Sequence, residues 1–121
     1  MKKEIITPAG APAPVGPYSP AVKYGNLLFV SGQTGDPGTS VAEQTTAAMN
    51  IIKGILEDAG TCCDNILKTT IYISRGEIFQ EMNAAYGAFF TKGQYPARIC
   101  TYGAELYGGL DVEIEVIAAI D

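Results

Sequence analysis

The sequence predicts an α+β domain: one β-sheet with two helices packed on one of its faces. Three observations predict it. The stretch "DVEIEVIAAID" alternates like a strand, with Val112, Ile114, Val116 and Ile120 on one side and Glu113, Glu115 and Ile117 on the other. Two other segments repeat apolar residues at helical spacing. These helical segments fall between strand-like ones, giving the order β, β-β, α, β, α, β, β. Residues 1–121 read as a single domain, with antiparallel hairpins expected at both ends.

Taken in order, "EIIT" reads as a short strand. "PAGAPAPVGPYSPA" follows, with prolines at 8, 12, 14, 17 and 20; proline removes amide donors and fixes φ, so this is an extended loop. In "AVKYGNLLFVSGQ" the "YGN" turn separates two strands, the second buried and ending at Gly32. After the turn "TGDPGT", Ser40 and Glu43 form a capping box that opens a helix over 41–59, and Gly60 sits where a helix stops. "NILKTTIYIS" is a strand with Leu67, Thr69, Ile71 and Ile73 on one face. "EIFQEMNAAYGAFF" is a second helix whose stripe is Phe79, Met82, Tyr86 and Phe89 or Phe90. "YPARICTYGAE" is a strand after a proline break, "LYGG" a turn, and 111–120 the last strand.

Composition narrows function. The chain has 121 residues, 47% of them hydrophobic, enough for a packed core. Its net charge of −5 opposes binding to a polyanion, and only Arg75 and Arg98 are arginines, so a nucleic-acid partner is not expected. There is no histidine, which excludes a Ser-His-Asp or Cys-His arrangement within the chain and removes the commonest metal ligand. Cys62, Cys63 and Cys100 are too few and oddly spaced for a disulfide framework. No apolar run approaches the roughly 18 residues of a membrane span, and the N-terminus lacks the apolar core of a signal peptide. The chain reads as soluble and cytoplasmic, with reduced thiols.

A few residues stand out chemically. Arg98 enters a strand after a proline, and a guanidinium is a rigid fork suited to a carboxylate. Cys100 lies on the same strand face, where a neighbouring cation would lower its pKa. Glu113 and Glu115 are candidate acids or bases, or partners of Arg98. Asn83 places an amide in mid-helix, where it often has a hydrogen-bonding role. Ser31 and Gln33 flank Gly32, a point where backbone can approach a ligand closely. Tyr18 is the aromatic of the proline-rich loop and a candidate lid. The sheet face without helices mixes apolar and charged groups, a reasonable place for another subunit.

"GPYSPA", "FVSGQ", "MNAAYGAFF", "PARIC" and "VEIEVIA" occur in this order from about residue 5 to 120. Together they resemble the RidA/YjgF family of reactive-intermediate enamine/imine deaminases, also called endoribonuclease L-PSP or UK114-like. The resemblance implies a chorismate-mutase-like fold assembled as a homotrimer around a central β-barrel, with clefts between subunits. It implies hydrolysis of 2-aminoacrylate-type enamines and imines to 2-keto acids and ammonia, with no cofactor and no metal. By resemblance Arg98 holds the substrate carboxylate, Glu113 orients the attacking water, the main chain of Cys100 lines the site, and Tyr18, Ser31 and Asn83 line the cleft, with Gln33 beside them. Glu115 has no catalytic counterpart and stays an outward-facing strand residue. Alternating faces are expected to set Glu113 on the same side of the sheet as Arg98. Two segments depart from the family pattern: "TGDPGT" replaces a longer hairpin, and Leu106-Tyr107 followed by two glycines replaces Leu-Pro. Two other readings stand beside the deaminase: an endoribonuclease or translation inhibitor, and a trimer that binds small carboxylates or acts as a chaperone without turnover.

Overall fold

The computed structural model describes residues 2–121. Six strands, β1 (Glu4–Ile6), β2 (Ala21–Tyr24), β3 (Leu27–Gln33), β4 (Ile66–Ile73), β5 (Ala97–Thr101) and β6 (Val112–Ala119), form one sheet in the order β1-β2-β3-β6-β4-β5. Two helices, α1 (Val41–Asp58) and α2 (Phe79–Gly87), complete the α+β architecture. The N-terminal hairpin is present as expected, and β1 extends it. The C-terminal hairpin is not. β6 lies antiparallel between β3 and β4, while β5 pairs parallel to β4. The parallel pair needs a long crossover, and α2 supplies it.

Both helices lie on one face. Leu28, Val30, Ile71, Ile73, Val112, Ile114 and Val116 of the sheet meet Ala48, Met49, Ile52, Ile55 and Leu56 of α1 and Met82 and Tyr86 of α2 in one core. The other face is bare and partly apolar: Ile5, Phe29 and Ile99 keep 51%, 41% and 55% of their surface exposed. These exposures are far above those of core residues, so the bare face is where the fold would accept a second surface.

Local signals explain the helix ends. Ser40 Oγ accepts from the Glu43 amide, and Glu43 Oε1 accepts from the Ser40 amide, closing the expected capping box. Glu81 of α2 adds a third cap, accepting from the Ala42 amide at 2.9 Å. At the other end, Gly60 adopts φ 87°, and the Thr61 and Gly60 amides donate to the Leu56 and Glu57 carbonyls. That is the Schellman pattern, with the residue that tolerates left-handed backbone in its proper place. The second helix is shorter than its stripe. A 3-10 turn at Gly76–Ile78 precedes it, and it ends before Phe89 and Phe90. Phe90 is the buried one, its ring 4.9 Å from that of Tyr86.

One strand departs from simple alternation. In β4 the register shifts between Ile66 and Lys68, so Ile66 is buried and Leu67 is 49% exposed. A bulge inserts one extra residue and moves what precedes it to the other face. Thr69, Ile71 and Ile73 remain inside as expected.

Asp111 pins the connection into β6. Its Oδ1 accepts from Ser74 Oγ at 2.6 Å and from Arg75 Nη1 at 2.8 Å, and its amide donates to Gln44 Oε1 of α1 at 2.9 Å. The Ser74 hydrogen bond, aided by the Arg75 charge, holds the Asp111 carboxyl below its usual range. A lowered folded pKa stabilises above the unfolded pKa and is lost as pH falls through the folded one. Asp111→Ala is therefore expected to cost about 1–2 kcal/mol at neutral pH, and the gap from wild type in urea titrations should close as the medium is acidified below the aspartate range.

Candidate active site

Arg98 sits one residue inside β5, after Pro96, and is half-buried. Its register partner is the buried Thr69 of β4, so its side chain lies on the helix-covered side, at the sheet edge beside α2. Residues 79, 83 and 86 share one face of α2 by their i, i+4, i+7 spacing, and all three meet the guanidinium. Nη1 donates to Asn83 Oδ1 at 2.6 Å. The Arg98 guanidinium carbon lies 5.7 Å from the Phe79 ring centroid and 5.2 Å from that of Tyr86, both within cation–π range. The Tyr86 hydroxyl in turn donates to Thr69 Oγ1 at 2.9 Å.

An open cleft of about 510 Å³ lies against this cradle, walled by Ala84, Gly87, Tyr95 and Pro96 and bearing the Gln80 and Asn83 amides. Arg98 is its one charged lining group. Among the described residues the only ion pair is Arg75–Asp111, so Arg98 has a neutral amide for a partner and no carboxylate. Cys100 shares the Arg98 side of β5 and packs partly against the core. Its thiol pKa is raised, not lowered: burial outweighs the nearby Arg98 charge. Cys100 is thus a neutral thiol, not an activated nucleophile.

Glu113 is elsewhere. It pairs with Tyr72 across β6 and β4, whereas the buried Ile114 pairs with Ile71. Glu113 therefore points from the bare face and Arg98 from the covered one, which corrects the expectation that they share a side. The two strands are separated by β4, or about 10 Å at two strand spacings. Glu113 and Glu115 project from one face of β6, but their surroundings differ. Glu115 is exposed, while Glu113 is half-buried against β3. A β-carbon on Gly32 would collide with the Glu113 carboxylate, so the glycine is the seat on which that side chain lies. Burial, then repulsion from Glu115, raises the Glu113 pKa.

Gly32 lies in a register irregularity of β3 between Val30 and Gln33. The Ser31 amide and hydroxyl turn away to bond the Pro20 and Ser19 carbonyls, at 2.9 and 2.6 Å. These bonds tie the proline-rich loop, and with it the 49%-exposed Tyr18, to β3, the strand against which the Glu113 side chain lies. Gln33 emerges from the bulge opposite the buried Ile114, is itself buried, and donates to the Ser31 carbonyl at 3.3 Å. It braces the bulge and does not face the Glu113 side. The site residues thus fall into two groups on one chain: Arg98, Asn83 and Cys100 on the α2 side, and Glu113, Ser31 and Tyr18 around the β3 bulge. Sequence reasoning assigned Phe79 and Tyr86 to the core stripe alone; their spacing from Asn83 was the available signal that they also face Arg98.

The "TGDPGT" turn and the Leu106–Gly109 turn are neighbours in space, a β-carbon on Gly108 falling 3.9 Å from Pro37 Cγ. Tyr107 is 83% exposed.

The architecture defines a class: small α+β proteins whose helix-backed mixed sheet leaves its second face bare. Within that class the chain belongs to the endoribonuclease L-PSP family, the RidA/YjgF family, whose pattern matches residues 8–120. It is 39% identical over 126 aligned positions to a 2-iminobutanoate/2-iminopropanoate deaminase of Escherichia coli, with 98% of each chain covered. It is 38% identical to a RutC family protein of Pyrococcus abyssi, again over 98% of both. Among solved structures, yeast YEO7 superposes with a TM-score of 0.92 at 32% identity, covering 99% of this chain and 100% of that one. The YjgF gene product of Escherichia coli gives 0.88 at 35%, covering 96% and 98%. No helix among the described residues is long and apolar enough to cross a membrane.

Proposed function

We propose that this protein is a cytoplasmic 2-iminobutanoate/2-iminopropanoate deaminase. It hydrolyses 2-aminoacrylate-type enamines and their imine tautomers to 2-keto acids and ammonia, with neither cofactor nor metal, residues 1–121 forming one domain of a homotrimer. The observation that carries the reading is the Arg98 guanidinium at the cleft: a half-buried cation with an amide and two ring faces beside it, and no carboxylate, is set up to receive one. The similarity to a named deaminase over nearly the whole chain supports the same class of substrate.

The chemistry suits a site without histidine. A protonated imine is already electrophilic, so positioning supplies much of what is required. Arg98 holds the substrate carboxylate through two parallel N–H donors. Water adds to the imine carbon, forming the C–O bond as the C=N π pair moves to nitrogen. Glu113 accepts the proton released by the water and returns it to the amine; the C–N bond then breaks with its electron pair leaving on ammonia, while the hydroxyl O–H pair becomes the C=O bond and its proton passes back to Glu113, which gives it to the departing ammonia as ammonium. The raised pKa of Glu113 brings the carboxylate closer to the proton affinity such a shuttle needs.

Arg98 and Glu113 project from opposite faces of one sheet, so the pair is assembled from two subunits. One copy supplies Arg98, Asn83 and Cys100; its neighbour, docked through the bare face, supplies Glu113, Ser31 and Tyr18. The exposed Phe29 and Ile99 on that face favour such an interface.

The test is a coupled assay. A pyridoxal-phosphate-dependent threonine dehydratase generates the enamine, and release of 2-ketobutyrate is followed with and without this protein. Faster release with the protein present is expected, by a modest factor because free water also hydrolyses the imine. An unchanged rate with both threonine- and serine-derived substrates would remove the deaminase reading and leave carboxylate binding without turnover.

A further inference from the structure

We propose that Tyr86 is a positioning residue for Arg98: its ring backs the guanidinium while its hydroxyl, bonded to Thr69, fixes that ring to the strand beside Arg98. The inference rests on the carboxylate-binding reading of Arg98 and adds what sets the guanidinium's orientation.

A guanidinium on a flexible stem recognises a carboxylate bidentately only if its plane is held, since each free torsion must otherwise be frozen on binding. Asn83 fixes one nitrogen by a 2.6 Å hydrogen bond but leaves rotation about that bond open. The Tyr86 ring, with its centroid 5.2 Å from the guanidinium carbon, restricts that rotation. A side-chain hydrogen bond to the neighbouring strand holds the ring. Tyr86 is only 4% exposed, and its hydroxyl reaches across to Thr69, which is fully buried at 0%. Thr69 is also the register partner of Arg98. The tether therefore joins α2 to the β4 position directly alongside the arginine, so the backbone carrying Arg98 and the ring behind its side chain share one anchor. A phenylalanine would fill the same volume, and the stripe of α2 would read the same. The hydroxyl adds little to packing and a fixed geometry to the arginine. Burial raises the Tyr86 pKa, which keeps the hydroxyl protonated as the donor.

The experiment measures binding of 2-ketobutyrate, a stable carboxylate, by calorimetric titration to the intact protein, with KM and kcat in the coupled assay and melting temperature alongside. Tyr86→Phe and Thr69→Val are each expected to weaken 2-ketobutyrate and raise KM by about three- to tenfold, the worth of one hydrogen bond expressed as affinity, with kcat changed less. The double variant, Tyr86→Phe with Thr69→Val, leaves no orphaned hydroxyl, so its melting temperature should return toward wild type while the affinity loss persists. In an Arg98→Ala background Tyr86→Phe should change affinity no further. An affinity loss that disappears in the double variant, or that remains undiminished without Arg98, would show that Tyr86 serves packing alone and overturn the proposal. Arg98→Ala binding 2-ketobutyrate like wild type would instead overturn the carboxylate reading, and the positioning role with it.

Discussion

Arg98→Ala is expected to lower kcat/KM for 2-iminobutanoate by about 10²- to 10³-fold, the value of two charge-assisted hydrogen bonds to one carboxylate. The fold should survive, because Arg98 is half-exposed and its only hydrogen bond is to Asn83. Arg98→Lys should recover only part of the loss. An ammonium restores the charge but cannot present two parallel donors or lie flat against the Tyr86 ring. The measurement is single-turnover keto acid release with each variant at matched concentration. If Arg98→Ala keeps kcat/KM within about threefold of wild type, less than one such hydrogen bond is worth, the guanidinium does not hold the substrate.

Glu113→Gln is expected to abolish most turnover, by about 10²-fold or more as for loss of a general base, while 2-ketobutyrate still binds. The substitution should not unfold the protein. A carboxyl whose folded pKa is raised destabilises the fold when ionised, so removing its charge at neutral pH is neutral or favourable. Wild-type kcat should fall as pH drops through that raised pKa, because the base must be ionised, and Glu113→Gln should lack this limb. The stronger test mixes the two dead proteins. Clefts that take Arg98 from one copy and Glu113 from the next are whole in about a quarter of cases after random subunit exchange between Arg98→Ala and Glu113→Gln in a closed ring. Activity near that fraction of wild type is expected; none at all after verified exchange would mean that both residues act from one chain.

The reason lies in how a sheet encodes its faces. Alternation fixes that Glu113 opposes Ile114 and that Arg98 opposes Ile99, and both statements hold. It does not fix which side of β5 matches which side of β6, because that depends on register with the strand between them. Thr69 facing Arg98 and Tyr72 facing Glu113 decide it, and neither pairing is visible in the spacing of either strand. The same limit explains Leu67, displaced by a bulge against β6, and the missing C-terminal hairpin, since insertion of β6 between β3 and β4 is a long-range choice. Local chemistry was legible. Ser40, Glu43 and Gly60 mark the ends of α1 because their partners lie within a few residues. The mid-helix Asn83 amide reads in the sequence as hydrogen-bonding, and it accepts from Arg98. Gly32 reads in the sequence as a place where backbone approaches a ligand; what lies against it in the structure is the Glu113 side chain of the same chain.

The position of β6 also governs when the molecule can come into being. Synthesis runs from β1 to β6, yet β6 is the strand that joins β3 to β4. Until β6 docks, the folding chain carries two open edges, β3 in the three-stranded ribbon and β4 in the β4–α2–β5 unit, with α1 alone packed against both. Bare edges of this kind recruit other chains, and long-range closure is slow. A chain in which the "VEIEVIAA" segment has not yet docked is therefore the one most exposed to pairing with another copy, and a chain truncated before it has no route to the native sheet.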